Sequence, residues 1–311
     1  MRNLELLITQ ARRATENSEF SDTVGLSDNE FIQYANDAQD QLESVISKVN
    51  SDLFLTSKVL TLSQGIDTYQ IPTDALLGTK IAVVLFSQNG AEQNYRPLVQ
   101  GRPSEMVGAF NGTPSFFVRL GTQIRLIPAP QSSTATIKVH YVQKLPRLDV
   151  RSGKISAVTL DSTTITPLTL DTADTIDRSK LLEEGFVTIV SSTGTVKMKA
   201  IPVTDVNETT GAVTLGSFTY ESGETAAVGD YLIRGMRSTS HSQLPDICER
   251  YLLSYMQWRI LKRDSSSDAI EQKSELDMME QSIQDAFAEA DLTVDGITVL
   301  DSQYLDIEAR L

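Results

Sequence analysis

A chain of 311 residues with 40% hydrophobic side chains carries enough apolar surface for one or two cores, so it reads as a folded protein rather than a disordered tail. Its 27 Lys and Arg stand against 41 Asp and Glu, a net charge of -14, which excludes a protein that wraps nucleic acid, because neutralising phosphates takes a basic face. The single Cys248 excludes an intramolecular disulfide, and the longest apolar run, Ile81 to Phe86, falls far short of the roughly 20 residues a membrane helix needs.

The opening "MRNLELLITQARRATE" shows no secretion signal, since Glu5 breaks any apolar stretch. Leu4, Leu7, Ile8, Ala11 and Ala14 recur at spacings of three and four, which predicts a short amphipathic helix. A second helix starts at Ser27, where Ser27 and Glu30 form an S-x-x-E capping box and Leu26 can meet Phe31 as a hydrophobic staple. Its seam continues through Tyr34, Ala35, Ala38, Leu42, Val45, Ile46 and Val49.

After residue 52 the period shortens. "KVLTLSQGIDTYQIP", "KIAVVLFSQNGAEQNYRPLVQ", "SFFVRLGTQIRLIPAP" and "ATIKVHYVQKLP" predict strands in a meander, with turns at Asn89-Gly90 and Gly121-Thr122. Val118, Leu120, Ile124 and Leu126 are expected on one buried face, with Arg119 and Arg125 on the wet one, and the flanking helices are expected to cover that sheet.

Between residues 151 and 237 the texture turns to Thr, Val, Ser and Gly, with short β segments about every ten residues and turns at Gly194 and Gly211. That pattern predicts a small all-β sandwich or barrel. Helical spacing returns with Pro245 at a first helical position, then Ile247, Tyr251, Leu252, Tyr255, Trp258 and Ile260. A polar turn from Asp264 to Ser267 leads to a second helix, capped by Asp268 and Glu271 and striped by Ala269, Leu276, Met279, Ile283, Phe287 and Ala290, so the two form an antiparallel hairpin.

The tail is expected to turn at Asp295-Gly296 and then exposes Ile297, Val299, Leu300, Tyr304, Leu305, Ile307 and Leu311 beside Arg310, with no remaining chain to cover them. It either docks back on its own domain or lies on another chain. The expected fold class is α+β: a helical parent domain with a small antiparallel sheet over 1–150 and 238–292, an inserted β domain over 151–237, and a C-terminal arm over 293–311.

Chemistry has little to stand on. His140 alternates within a predicted strand and His241 sits in a polar loop, two histidines that favour structural roles over general-base work. Asp171, Asp174 and Asp177 lack the alternate-residue spacing of a calcium loop and read as turn formers. No phosphate loop, dinucleotide fingerprint, nucleophile elbow or paired-His zinc motif occurs, so no cofactor or metal is expected. Cys248 reads as a small buried thiol, and Tyr251, Tyr255 and Trp258 as core packing. Residues 264–311 hold thirteen acids against Lys273 and Arg310, a solvated acidic face.

Taken in order, "NEFIQYANDAQDQLES", the strands "IRLIPAP" and "IKVHYVQKLPRLD", then "LPD" with helix "RYLLSYMQWRILKRD" and its acidic partner resemble the head-to-tail adaptor (connector) proteins of tailed bacteriophages, over residues 1–150 and 240–292. The resemblance implies a structural virion protein without turnover, made in the host cytoplasm and placed in the neck between capsid and tail. It implies a homo-oligomeric ring, twelvefold, beneath the portal ring, with tail nozzle, tail tube or fibre proteins as further partners and double-stranded DNA passing through without specific binding. It also implies that the arm from Ile297 to Leu311 reaches the portal, and that residues 151–237 are an added module, since short members run directly from the segment like "LPRLD" to the one like "LPD". A competing reading is a carbohydrate- or host-surface-binding β module on a helical scaffold, against which the 6% aromatic content argues. Another is a hydrolase whose acids are dispersed among the carboxylates.

Overall fold

The computed structural model describes residues 2–14, 27–78, 80–102, 111–160, 165–170, 179–207, 209–210, 212–216, 225–263 and 266–308, with the backbone alone at 51, 159–160, 165–170, 179–180 and 289–308. Helix and sheet are mixed, an α+β protein. Contacts divide the chain into two compact units, residues 46–145 and residues 1–45 with 146–311.

Helix α1, Leu4–Ala14, buries Leu4, Leu7, Ile8 and Ala11, the stripe its spacing predicts. Helix α2, Asp28–Val49, opens with the Glu30 half of the expected box: the Ser27 N–H donates to Glu30 Oε2 at 2.9 Å, while the Glu30 N–H donates to the Ser27 carbonyl at 3.0 Å and the Ser27 hydroxyl lies 3.3 Å from Glu30 Oε2. Leu26, the other half of the expected staple, lies outside the described residues. Phe31, Ala35, Ala38, Leu42 and Ile46 are buried along the helix.

The 46–145 unit carries β1 (Leu55–Thr61), β2 (Thr68–Gln70), β3 (Ile81–Ser87), β4 (Arg96–Pro97), β5 (Val99–Gln100), β6 (Asn111–Gly112), β7 (Phe116–Leu120), β8 (Gln123–Ile127), β9 (Ala129–Pro130) and β10 (Thr136–Val142). These do not form the expected meander. They make two four-stranded sheets, ordered β1-β10-β3-β4 and β2-β8-β7-β5, so that β1 pairs with a strand some eighty residues later, Leu55 opposite Val142. Val84, Phe86, Ile137 and Val139 from one sheet and Phe117, Ile124 and Leu126 from the other form one core. Each sheet therefore covers the other, where helices had been expected to, because two half-apolar sheets satisfy one another by direct packing.

The hairpin turn at Gly121-Thr122 forms as predicted, with Gly121 at a φ of 58°, a left-handed conformation glycine adopts without steric cost. The face assignment beside it needs correction. A two-residue turn pairs an even position with an odd one, so Val118 faces Arg125 and Phe117 faces Leu126. Val118 and Leu120 thus lie on the side of the sheet away from Ile124 and Leu126.

In the other unit come β11 (Arg147–Leu148), β12 (Arg151–Leu160), β13 (Ile165–Leu170), α3 (Ser179–Glu184), β14 (Phe186–Val190), β15 (Val196–Asn207), β16 (Ala212–Leu215), β17 (Tyr231–Arg234) and β18 (Ser238–Thr239). Six of them close a barrel in the order β12-β13-β16-β15-β14-β17. Closure removes the exposed edges that so short a sheet would otherwise present. Ile155, Val187, Ile189, Ile201, Val213 and Leu232 fill it, with Leu181 of α3. Gly194 sits at a turn as predicted, whereas Gly211 and Asp171, Asp174 and Asp177 lie outside the described residues.

Pro245 is not the first residue of a long helix; it precedes a 3-10 turn, Asp246–Cys248, and α4 runs Glu249–Arg263. Helix α5, Asp268–Glu308, takes its cap from Ser266, whose Oγ accepts the Asp268 N–H at 3.3 Å, rather than from Asp268 and Glu271. It continues through Asp295 and Gly296, where a turn had been expected. One glycine weakens a helix by only about 1 kcal/mol relative to alanine, too little to end one by itself. Leu4, Leu7, Phe31, Ala35, Leu148, Met256 and Ile260 join α1, α2, β11 and α4 in a common core.

Candidate assembly surface

Helices α4 and α5 pack against one another, and α5 carries the most acid-rich stretch of the sequence. Leu276 and Ile283 of α5 are buried, and their seven-residue spacing puts both on the side turned to the protein. Tyr251 is buried in the same seam and donates its hydroxyl to Glu280 Oε2 at 3.3 Å, an oxygen that also accepts from Gln41 Nε2 at 2.6 Å. Burial, reinforced by the Glu280 charge, pushes the Tyr251 hydroxyl well above the ordinary phenol range, and burial does the same to Tyr255. Tyr255 meets Trp258 edge to face at 5.3 Å, while the Lys262 and Lys273 ammonium groups lie 5.0 and 5.5 Å from the Trp258 ring centroid. The aromatic cluster is packing, as expected.

The opposite side of α5 is acidic. Asp268, Glu271, Glu275, Asp277 and Asp285 are exposed, and Lys273 pairs with Asp277 at 2.5 Å. Of the residues expected in the C-terminal arm, Ile297, Val299, Leu300, Tyr304, Leu305 and Ile307 lie on the α5 backbone, while Arg310 and Leu311 fall outside the described residues.

A second constellation, which the sequence did not single out, joins the barrel to the helices. Arg151 at the start of β12 grips Glu5 of α1 with both arms of its fork, Nε at 2.8 Å from one oxygen and Nη2 on the other, and its guanidinium lies 4.6 Å over the Tyr231 ring. The Glu5 hydrogen bond raises the already high pKa of Arg151 further. Arg234 holds Asp149 through Nε at 3.1 Å and Nη2 at 2.9 Å. The Leu4 N–H donates to the Ser240 carbonyl at 2.8 Å, and Asn3 bridges to His241. At the barrel turn, Gly194 comes so near that a Cβ there would lie 2.4 Å from His241 Cβ, and its carbonyl accepts from Thr239 Oγ1 at 2.9 Å. The partners are up to 146 residues apart, so no spacing could have announced them.

Cys248 is buried, and burial pushes its thiol up to about 12, away from the thiolate that a nucleophile needs. His140 is half-buried in β10. His241 is half-buried rather than loose in a polar loop, and burial first, with nearby positive charge including that of Arg151, lowers its pKa. An open cleft of about 620 Å³ is lined by Arg2, Asp246, Glu249, Arg250 and Leu253, but Arg2 Nε already pairs with Glu249 at 3.0 Å. Among the described residues no group of three His, Cys, Asp or Glu could hold a metal ion, and no helix is long and apolar enough to cross a membrane.

A family model described as SU10 adaptor protein matches residues 2–168. The chain belongs to the SU10 adaptor protein family. These are phage head-to-tail adaptors, with a structural role in the virion neck and partners among portal and tail proteins. The matched span of this SU10 adaptor takes in α1, α2, the whole 46–145 unit and the barrel strands through most of β13. The hairpin of α4 and α5, part of the resemblance over 240–292, lies beyond it. No curated protein matches the sequence.

Proposed function

We propose that this adaptor forms a twelvefold ring beneath the portal, joins capsid to tail and lines the channel through which the genome leaves. The observation that carries the reading is the family match over residues 2–168, since it embraces one complete unit and the helices that open the other. The charge supports it. A wall built from copies of net charge -14, with the exposed acids of α5 turned inward, repels phosphates and lets DNA slide, because no condensed counterions are released on contact. The end of α5 is the portal-docking arm in this reading, and the barrel is an added module that meets a tail fibre, the nozzle or a neighbouring subunit.

The test is electron microscopy of the full chain mixed with portal rings. A coaxial ring of added density with α5 facing the axis is expected. A ring with α5 on its outside removes the channel lining, and no coaxial density at all overturns the function.

A further inference from the structure

The two units differ in the sign of their charge. Residues 46–145 hold nine Lys and Arg against five Asp and Glu, net +4, whereas the rest of the chain holds eighteen against thirty-six, net -18. The positive unit also exposes an apolar sheet face. In the β1-β10-β3-β4 sheet, Ile137, Val139 and Tyr141 of β10 point to the core, and the alternate positions point outward. On that outer face Val59 stands opposite Lys138 and Val83 opposite His140, while Leu55 stands opposite Val142, which is itself buried. Val59, Val83 and Leu55 are 49%, 42% and 41% exposed.

The patch reaches a sheet edge. Strand β1 has seven residues and, among the described residues, pairs with β10 alone. A long edge with outward valine and leucine invites another chain, and sheets that stay alone blunt such edges.

We propose that this face docks a second copy of the chain, which presents the part of its 1–45 and 146–311 unit outside α5, where sixteen Lys and Arg stand against twenty-three Asp and Glu before residue 264. The inference rests on the ring reading above and specifies its contact. A head-to-side contact sets the positive unit of one copy against the acidic unit of the next. Repeated head-to-side contacts close into a ring when the rotation allows. DNA is the poorer occupant, because valine and leucine offer phosphates nothing and the Lys138 ammonium on this face is already held by Glu92.

The experiment uses the full chain with portal rings, followed by native mass spectrometry. Val59→Asp and, separately, Val83→Asp are expected to weaken ring formation at least tenfold with an unchanged thermal melt, since both positions are half in water already. A photo-crosslinker at position 59, in a mixture of light and heavy isotope-labelled chains, is expected to join light to heavy copies at residues of the acidic unit. Unchanged rings with both variants, or crosslinks to the 46–145 unit of the other copy or to added DNA, overturn the proposal. If the unsubstituted chain makes no ring at all, the ring reading falls together with this contact; if it makes rings that both variants also make, only this face falls.

Discussion

His241, wedged between Gly194 and Asn3, shows how one residue can report on the joint between barrel and helices. Its folded pKa lies below the ordinary imidazole value near 6.5, so the unfolded chain takes up the proton first. Its contribution to stability is complete above about pH 6.5 and is lost as the pH falls through the folded value. The melting temperature is therefore expected to drop between pH 7.5 and 5.5, and His241→Gln to reduce that drop; an identical drop in the variant would show that other groups carry it. Asp149 makes a different point. It and Arg234 each keep only 14% of their side chains in water, so Asp149→Ala strands a guanidinium and is expected to lower stability by about 3 kcal/mol in urea melts, with Asp149→Asn losing less.

At the scale of elements, helix starts and tight turns were legible because they are local. Ser27 and Glu30 are three residues apart, and the Glu30 half of their box forms. Gly121-Thr122 makes the predicted hairpin, yet the faces of β7 and β8 were misread, because register depends on how many residues the turn contains. The end of α5 was misread in the other direction: a turn expected at Gly296 is a continuing helix. That helix carries the proposed docking arm. Deletion of residues 293–311 is expected to leave the far-ultraviolet spectrum of a folded protein and a monomeric mass while abolishing capture on immobilised portal rings, and retained capture would place the portal contact elsewhere.

For the whole molecule, charge makes the clearest statement. With a net of -14 and the positive surplus confined to residues 46–145, the full chain is expected to show no retardation of double-stranded DNA at about 150 mM salt, where even a basic protein binds non-specifically with only modest affinity. Retardation at that salt would mean that the +4 unit acts alone on phosphates and that the acidic wall is not what DNA meets. Acidity and the family resemblance were both visible in the primary structure; which acids face water on α5 was not.

What the order of residues determined by itself was everything with a short reach: apolar stripes of α1 and α2, the capping box, the β texture after residue 151, and the absence of a catalytic motif. Tertiary structure alone decided that β1 finds β10, that two sheets cover each other in place of helices, that the 151–237 strands close a barrel, and that Glu5 meets Arg151 across 146 positions. The reason is physical. Periodicity records which side of an element avoids water, whereas the surface that covers it is chosen by shape and charge matching among distant segments, for which a linear pattern holds no local signal.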